Sequence, residues 1–371
     1  MCLKRESTEA GRSSLSSADH RSILLPIADG REAGVVLLVE SFMDEKGVPG
    51  DGWQRMSIRR IEDLGDAVLG AGLEAMQMSA RTVTGRLAHG SREGVRFSSG
   101  LLDGKVALRG CLSTRDLTLG VALGVGSGSR HWLGEVKAGA VGVFRACDEH
   151  DALYQGRSLY LAVTLPEDRL LALAEREGVV IDPAGLRRTG MHDRPMASRT
   201  LSTLRKRAIC VHGRRFDDSA LDGSFEAAVL QAFIEHLGRQ PSVIGGSLIG
   251  PGQARTVARA REWIDANLCE PITIDAIAIA AGTSRRGLHR AFKAVLDEAP
   301  QAYVRRRRLH RIRRDLASDA DAARTIASIA NRWGIGELGR FAGRYRSLFG
   351  ELPSETIRYS GARSSKLAQT A

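Results

Sequence analysis

Two ten-residue stretches constrain this chain more than any other feature in it. Residues 273–282 read T-I-D-A-I-A-I-A-A-G, and residues 325–334 read T-I-A-S-I-A-N-R-W-G. Thr, Ile, Ile, Ala and Gly recur at a constant offset of 52 positions. Each copy opens on a threonine whose hydroxyl can accept an orphan N–H of a helix's first turn. Apolar residues follow at i, i+3, i+4 and i+7: Ile274, Ile277, Ala278 and Ala281, and again Ile326, Ile329, Ala330 and Trp333. Each copy closes on a glycine suited to a tight turn and leads into a second amphipathic segment. Helix, glycine turn and second helix, present twice, make a repeated helix-turn-helix pattern.

The second segments show what such units could present. After Ser284, a good N-cap, Leu288, Ala291, Phe292 and Val295 fall on one helical face. Arg286, His289, Arg290 and Lys293 fall on the opposite one, with Arg285 beside them. In the second unit a helix from about Gly336 to Phe349 buries Leu338, Phe341, Tyr345, Leu348 and Phe349 and opens Gly336, Arg340, Gly343, Arg344 and Ser347. Between the units, Pro300 starts a helix through Tyr303, Leu309, Ile312 and Leu316. It carries Arg305, Arg306, Arg307, Arg308, Arg311, Arg313 and Arg314, either as phosphate contacts or as ion pairs within the domain. Such a helix spans about 25 Å, near the roughly 34 Å between successive major-groove faces of a duplex. Trp263 and Trp333, at helical spacing, are expected in the core.

Charge points the same way. Of a formal net charge of +11, residues 255–360 hold +8, from twenty Lys/Arg and twelve Asp/Glu. An anionic partner for that third follows, nucleic acid first, with a solvated basic surface as the plain alternative. Cys2, Cys111, Cys147, Cys210 and Cys269 are scattered without a C-x-x-C, the usage of a reducing compartment. The N-terminus lacks an apolar signal core, and no run approaches about 18 apolar residues. A soluble, cytoplasmic protein with no membrane partner is expected.

Ahead of the basic third the texture changes. Residues 1–20 are Ser-rich and charged, a disordered tail by composition. Short apolar runs broken by Gly, Asp and Ser follow, at 35–39, 105–112, 117–123 and 159–165, which predict a small antiparallel barrel or sandwich. A helix is expected to interrupt it near Ile58–Leu73. Gly124, Gly126 and Gly128 read as a turn, because no helix or lysine follows as a phosphate loop requires. Pro166 opens a helix that Gly178 closes, and helices follow at 198–207 and 223–237. In the last, Phe225, Val229, Ala232 and Phe233 share a stripe with Leu221 and His236, suited to core or to pairing subunits. Residues 238–253 hold five glycines and two prolines, the composition of a linker. His131 and His150 read as ordinary loop histidines. No Ser/His/Asp order, paired carboxylates or H-x-H stands out, so no catalytic residue, metal or cofactor is expected.

The C-terminal third resembles the AraC/XylS family of bacterial transcription regulators over residues 257–358. The similarity rests on the segment 272–293, the Arg-rich 303–316, and 326–358 with its F-G-x-x-P-S ending (Phe349, Gly350, Pro353, Ser354). More faintly, residues 131–154 are similar to the cupin-type sensor domain of some members. The resemblance implies an α+β fold. It divides the chain into a tail (1–20), a β-rich sensor or dimerisation domain (21–237), a flexible linker (238–254), an all-α DNA-binding domain (255–360, helix-turn-helix units 273–296 and 325–349) and a tail (361–371).

It also implies contacts. The first recognition helix would read bases through Arg286, His289 and Arg290. Arginine can fork onto guanine O6 and N7, and histidine can donate to one acceptor. Ser284, Arg285, Lys293, Arg305, Arg344 and Ser347 would hold the DNA backbone. In the second helix, Gly339 and Gly343 stand where relatives often carry base-reading side chains, which leaves Arg340 for one base there. The partners implied are double-stranded promoter DNA, a small-molecule effector of unknown identity, a second copy in a homodimer, and RNA polymerase, all in a bacterial cytoplasm at the nucleoid. The alternative is a ligand-independent architectural or nucleoid protein with weak sequence preference.

Overall fold

The computed structural model describes residues 53–213, 224–245, 252–318 and 325–359. The expected tails at 1–20 and 361–371, the apolar run at 35–39 and Leu221 lie outside them. Among the described residues eleven strands form one antiparallel sheet. They are β1 (Gln54–Ile58), β2 (Glu74–Gln77), β3 (Thr84–Arg92), β4 (Val95–Cys111), β5 (Leu117–Gly124), β6 (Arg130–His131), β7 (Gly134–Glu135), β8 (Val141–Phe144), β9 (Glu149–Leu165), β10 (Gly190–His192) and β11 (Val243–Gly245). The main path runs β1-β3-β4-β9-β5-β8-β10-β11. β2 is added on β4, and β6 bridges β7 and β9. The helices are α1 (Glu167–Arg176), α2 (Ser198–Val211), α3 (Ser224–Gly238), α4 (Gln253–Ala266), α5 (Ile274–Ala280), α6 (Arg285–Leu296), α7 (Pro300–Ala317), α8 (Ile326–Arg332) and α9 (Leu338–Phe349). A last short helix covers 353–359. The α+β class, with a large sheet before a helical C-terminal part, holds.

The sheet is organised by its two longest strands. β4 and β9 run antiparallel for 17 residues each, from Arg96 opposite Thr164 to Cys111 opposite Glu149. Side chains alternate across a strand, and here the even-numbered ones share one interior. Leu102, Val106, Leu108, Ala152, Tyr154, Tyr160 and Ala162 pack there with Leu64, Leu73 and Phe144. The odd-numbered ones face outward, where the sheet has two covers. Val95, Phe97, Leu159, Leu161 and Val163 lie under α1, α2 and α3. Ala107 and Leu153 join the core of the helices from α4 onward.

Two expectations change, and one open alternative is decided. Near Ile58–Leu73 there is no α-helix: β1 ends at Ile58, a 3-10 helix covers Ile61–Asp66, and β2 follows from Glu74. The Asp63 carboxylate accepts the amides of Arg59 (2.8 Å) and Arg60 (2.9 Å) and starts the turn. Gly70 and Gly72, at φ of 76° and 64°, then prevent its extension. The α3 stripe is core: Phe225, Val229 and Phe233 are fully buried against the sheet, so these side chains pair no subunits. The linker begins as structure, because Val243–Gly245 pairs with β10 as an edge strand; residues 246–251 lie outside the described residues.

The turn expected around Gly126 is present, with the Ser129 amide donating to the Gly126 carbonyl at 3.2 Å. A Cβ built on Gly126 would stand 1.9 Å from the Gln155 carbonyl oxygen. Gly126→Ala is therefore expected to cost about 3 kcal/mol. A Cβ on Gly336 meets nothing within 4 Å, so Gly336→Ala should stay within about 0.5 kcal/mol. Urea midpoints with unchanged m-values check both.

Candidate nucleic-acid interface

The two helix-turn-helix units are built as their caps predict. Thr273 Oγ1 accepts the Ala276 amide at 3.2 Å, and Thr325 Oγ1 accepts that of Ser328 at 3.1 Å. Gly282 (φ 64°) and Gly334 (φ 70°) make the turns in the left-handed region. Ser284 Oγ caps α6 through the Gly287 amide at 3.1 Å. Leu288, Ala291, Phe292 and Val295 of α6 are buried. Arg286, His289, Arg290 and Lys293 stand exposed on its other side. Arg285 is tied by a double hydrogen bond to Asp275 of α5, and Lys293 Nζ lies 2.6 Å from Asp297. Both are exposed, the low-energy kind of pair that an anion can displace.

In the second unit α9 starts at Leu338, two residues later than expected, and Leu338 is 38% exposed instead of buried. As the first helical residue it lies at the open end of the stripe, and Phe341, Tyr345, Leu348 and Phe349 carry the packing. Arg340, Gly343, Arg344 and Ser347 are exposed as expected. Arg340 pairs with Glu337 at 3.5 Å. A Cβ on Gly339 or Gly343 would meet nothing within 4 Å, so neither glycine is required by packing. Trp333 is buried and Trp263 partly buried in the helical core.

The arginine run on α7 divides by helical face. Arg307 is 1% exposed and donates to Asp265 (2.7 Å) and Glu74 (3.2 Å). Arg313 donates to Glu62 (2.5 Å) and Glu351 (2.9 Å). Arg306 pairs with Glu298 at 2.8 Å, and Arg308 donates to the carbonyls of Leu268, Glu270 and Gly334. Arg311 lies 3.7 Å from Glu74. Arg305 and Arg314 are exposed. Intradomain pairing therefore takes most of the run, and Arg305 is one of the residues left facing solvent.

Glu62 and Glu74 belong to the β-rich part, so these pairs also seat the helical part on the sheet. Arg261 of α4 reaches Asp151 of β9 at 3.0 Å, and Arg109 of β4 reaches Asp265 at 3.0 Å. His310 Nε2 lies 3.2 Å from the Gln77 carbonyl. Met76, Met78, Ala107, Leu133 and Leu153 fill the apolar gaps. None of these residues was singled out from the sequence. Their one local signal is charge at outward strand positions, Lys105, Arg109 and Asp151, where an exposed face would look the same.

The histidines expected in loops stand on strands. His131 of β6 and His150 of β9 line a cavity of about 50 Å³ under the sheet, their ring centroids 5.0 Å apart. Burial lowers His131 to a pKa of about 4 and His150 to about 3, so both rings are neutral.

A family model described as "Helix-turn-helix domain" matches residues 277–359. The XylDLEGF operon transcriptional activator of Pseudomonas putida is 40% identical over 100 residues, 27% of this chain and 31% of that protein. The probable thc operon regulatory protein of Rhodococcus erythropolis is 33% identical over 108 residues, 29% of this chain and 32% of that protein. The chain thus spans about a third of the length of these relatives. Among solved structures, a probable AraC family transcriptional regulator from Rhodopseudomonas palustris is 36% identical, with 28% of this chain and 96% of that one covered and a TM-score of 0.27. The C-terminal region of this chain belongs to the AraC/XylS family.

The seating pairs set an acid limit on stability. Burial works to raise Glu74, but Arg307 and Arg311 outweigh it and hold its carboxyl low. Burial likewise works to raise Asp151, and Arg261 and Arg109 outweigh it. Carboxylates lowered on folding stabilise fully above their unfolded values and lose that contribution as pH falls through the folded ones. Stability should hold above about pH 5 and fall below about pH 4. Asp151→Asn leaves the buried Arg261 unpaired and should cost about 3 kcal/mol at neutral pH while flattening the acid limb. Urea midpoints taken from pH 7 to pH 3 check both.

Proposed function

We propose that the protein is a sequence-specific transcriptional regulator, with a β-rich sensor domain over 21–237 and a DNA-binding domain over 255–360. The observation that carries this is the division of α6. Its large apolar side chains are spent on the core, while Arg286, His289, Arg290 and Lys293 form a continuous exposed cationic face behind a glycine turn. A short helix so mounted is what a major groove admits.

Arg286, His289 and Arg290 contact base edges, and Arg340 contributes one base in the adjoining groove. Ser284, Arg285, Lys293, Arg305, Arg344 and Ser347 hold phosphates, with Arg285 and Lys293 exchanging Asp275 and Asp297 for the DNA backbone. α7 is 18 residues long, about 27 Å, and serves as the spacer between the two helices. The exposed glycines of α9 leave the second half-site less specific. The protein works in the cytoplasm on promoter DNA, where RNA polymerase is the further partner, and a small molecule bound by the sensor domain sets its state. Among the described residues no helix is long and apolar enough to cross a membrane.

Genome-wide binding followed by affinity measurements on the recovered site tests this. Arg290→Ala should lose about 1–3 kcal/mol there and relax preference at one base pair, and Arg286→Ala should do the same at a neighbouring pair. Arg344→Ala should weaken specific and random duplexes alike and reduce the salt slope by about 1. Equal losses on all sequences for Arg290→Ala would move that residue to the phosphate set and favour an architectural role.

A further inference from the structure

In each helix-turn-helix unit, the helix ahead of the pair lays an arginine across the turn glycine. In the first unit a Cβ built on Gly282 would stand 3.1 Å from Nη1 of Arg259, on α4. In the second a Cβ built on Gly334 would meet the Arg308 guanidinium of α7 at 2.9 Å. The left-handed φ of each turn already favours glycine, and the guanidinium fills the space a side chain would take. The two arginines are spent differently. All three nitrogens of Arg308 donate, Nε to the Leu268 carbonyl (3.0 Å), Nη1 to that of Gly334 (3.1 Å) and Nη2 to that of Glu270 (2.6 Å). Arg308 therefore ties the α4–α5 connection to the second turn. Arg259 is exposed and makes no hydrogen bond or ion pair among the described residues. Glu262, three residues further along α4, is exposed as well and does not pair with it.

Its position gives that unspent guanidinium a use. The Gly282 turn is exposed and leads, two residues on, into Ser284 and Arg285 at the start of α6. These are residues assigned above to the DNA backbone, and Arg286 of the base-reading face follows them. Arg259 thus stands at the same end of the recognition helix but is carried there by α4. A guanidinium presents its N–H donors in a planar fork that matches a phosphate. Arg285 and Lys293 must give up Asp275 and Asp297 before they can hold one, whereas Arg259 has no carboxylate to leave.

We propose that Arg259 is a backbone clamp for the first recognition helix, donating to a phosphate beside the groove that α6 enters, and that Arg308 is its structural counterpart in the second unit, kept from DNA by the carbonyls it holds. The proposal rests on the regulator reading above and adds to that interface a helix outside the two helix-turn-helix pairs.

Fluorescence anisotropy of the full chain on a random-sequence duplex, over a series of salt concentrations, tests this, because each phosphate contact releases counterions. Arg259→Gln should lower the slope of log affinity against log salt by about 1 and weaken binding about three- to tenfold near 0.1 M salt. Its urea midpoint should not move. Arg259→Lys keeps the point charge and should keep most of the slope. Arg176→Gln makes the same change of net charge at an exposed position on α1, which covers the other end of the sheet, and should leave the slope as it was. Arg308→Gln should lower the urea midpoint, since three carbonyls lose their donor, and also leave the slope as it was. An unchanged slope in Arg259→Gln, or the same loss in Arg176→Gln, overturns the clamp. The same loss in Arg308→Gln overturns the contrast between the units. A wild-type chain with no salt-dependent binding to any duplex refutes the regulator reading and the clamp with it, whereas wild-type binding that Arg259→Gln leaves intact refutes the clamp alone.

Discussion

The alternation of side chains along β4 and β9 is the constraint on which the rest of the molecule depends. A pleated strand has two faces and no third choice, so a 17-residue antiparallel pair must bury or expose each face along its whole length. Here the even face closes over one interior. The odd face is covered at one end by α1–α3 and at the other by the DNA-binding helices. The two strands meet glycine to glycine at Gly104 and Gly156, both with positive φ, between the two covers. One layer of backbone is therefore the floor of a cavity and the seat of the helical domain together.

That geometry explains an arginine-rich helix with little of its charge to offer to solvent. Taking a guanidinium out of water is costly unless carboxylates meet it with good geometry. Arg307 and Arg313 are met by Asp265, Glu74, Glu62 and Glu351, contributed from both the helical part and the sheet. Their work is to fix where α7 sits, and α7 in turn sets the spacing of the two recognition helices. Cations with a view of an external anion include those on α6 and α9 and Arg305 and Arg314. A count of basic residues cannot separate these groups, because the separation is made by what each side chain faces.

The two recognition helices are not equivalent supports. α6 has a side-chain N-cap from Ser284, a left-handed C-cap at Asp297, and cations from the sheet on its last carbonyls. α9 lacks a side-chain N-cap hydrogen bond and carries Gly339 and Gly343 on its open face. Each helical glycine costs about 1 kcal/mol relative to alanine. The better-braced helix is also the one with the richer set of hydrogen-bonding side chains.

What the sequence determined by itself was local and periodic. The threonine and serine caps, the turn glycines, the buried stripe of α6 and its opposite cationic face follow from spacing within a dozen residues, and each is found where spacing puts it. The apolar runs at 105–112, 117–123 and 159–165 likewise became β4, β5 and β9, because alternation is written along a single strand. The 3-10 helix at Ile61–Asp66 was missed because one aspartate and two left-handed glycines outweighed an apolar pattern. What only the tertiary structure decided was the partner of each face. Glu62 and Glu74 lie more than two hundred residues from the arginines they hold. His131 and His150 come together only through the pairing of β6 with β9. The Phe225–Phe233 stripe could have met a second subunit or its own sheet, and it met the sheet. A strand's period says which residues share a face; which element arrives to cover that face depends on long-range packing that no local spacing records.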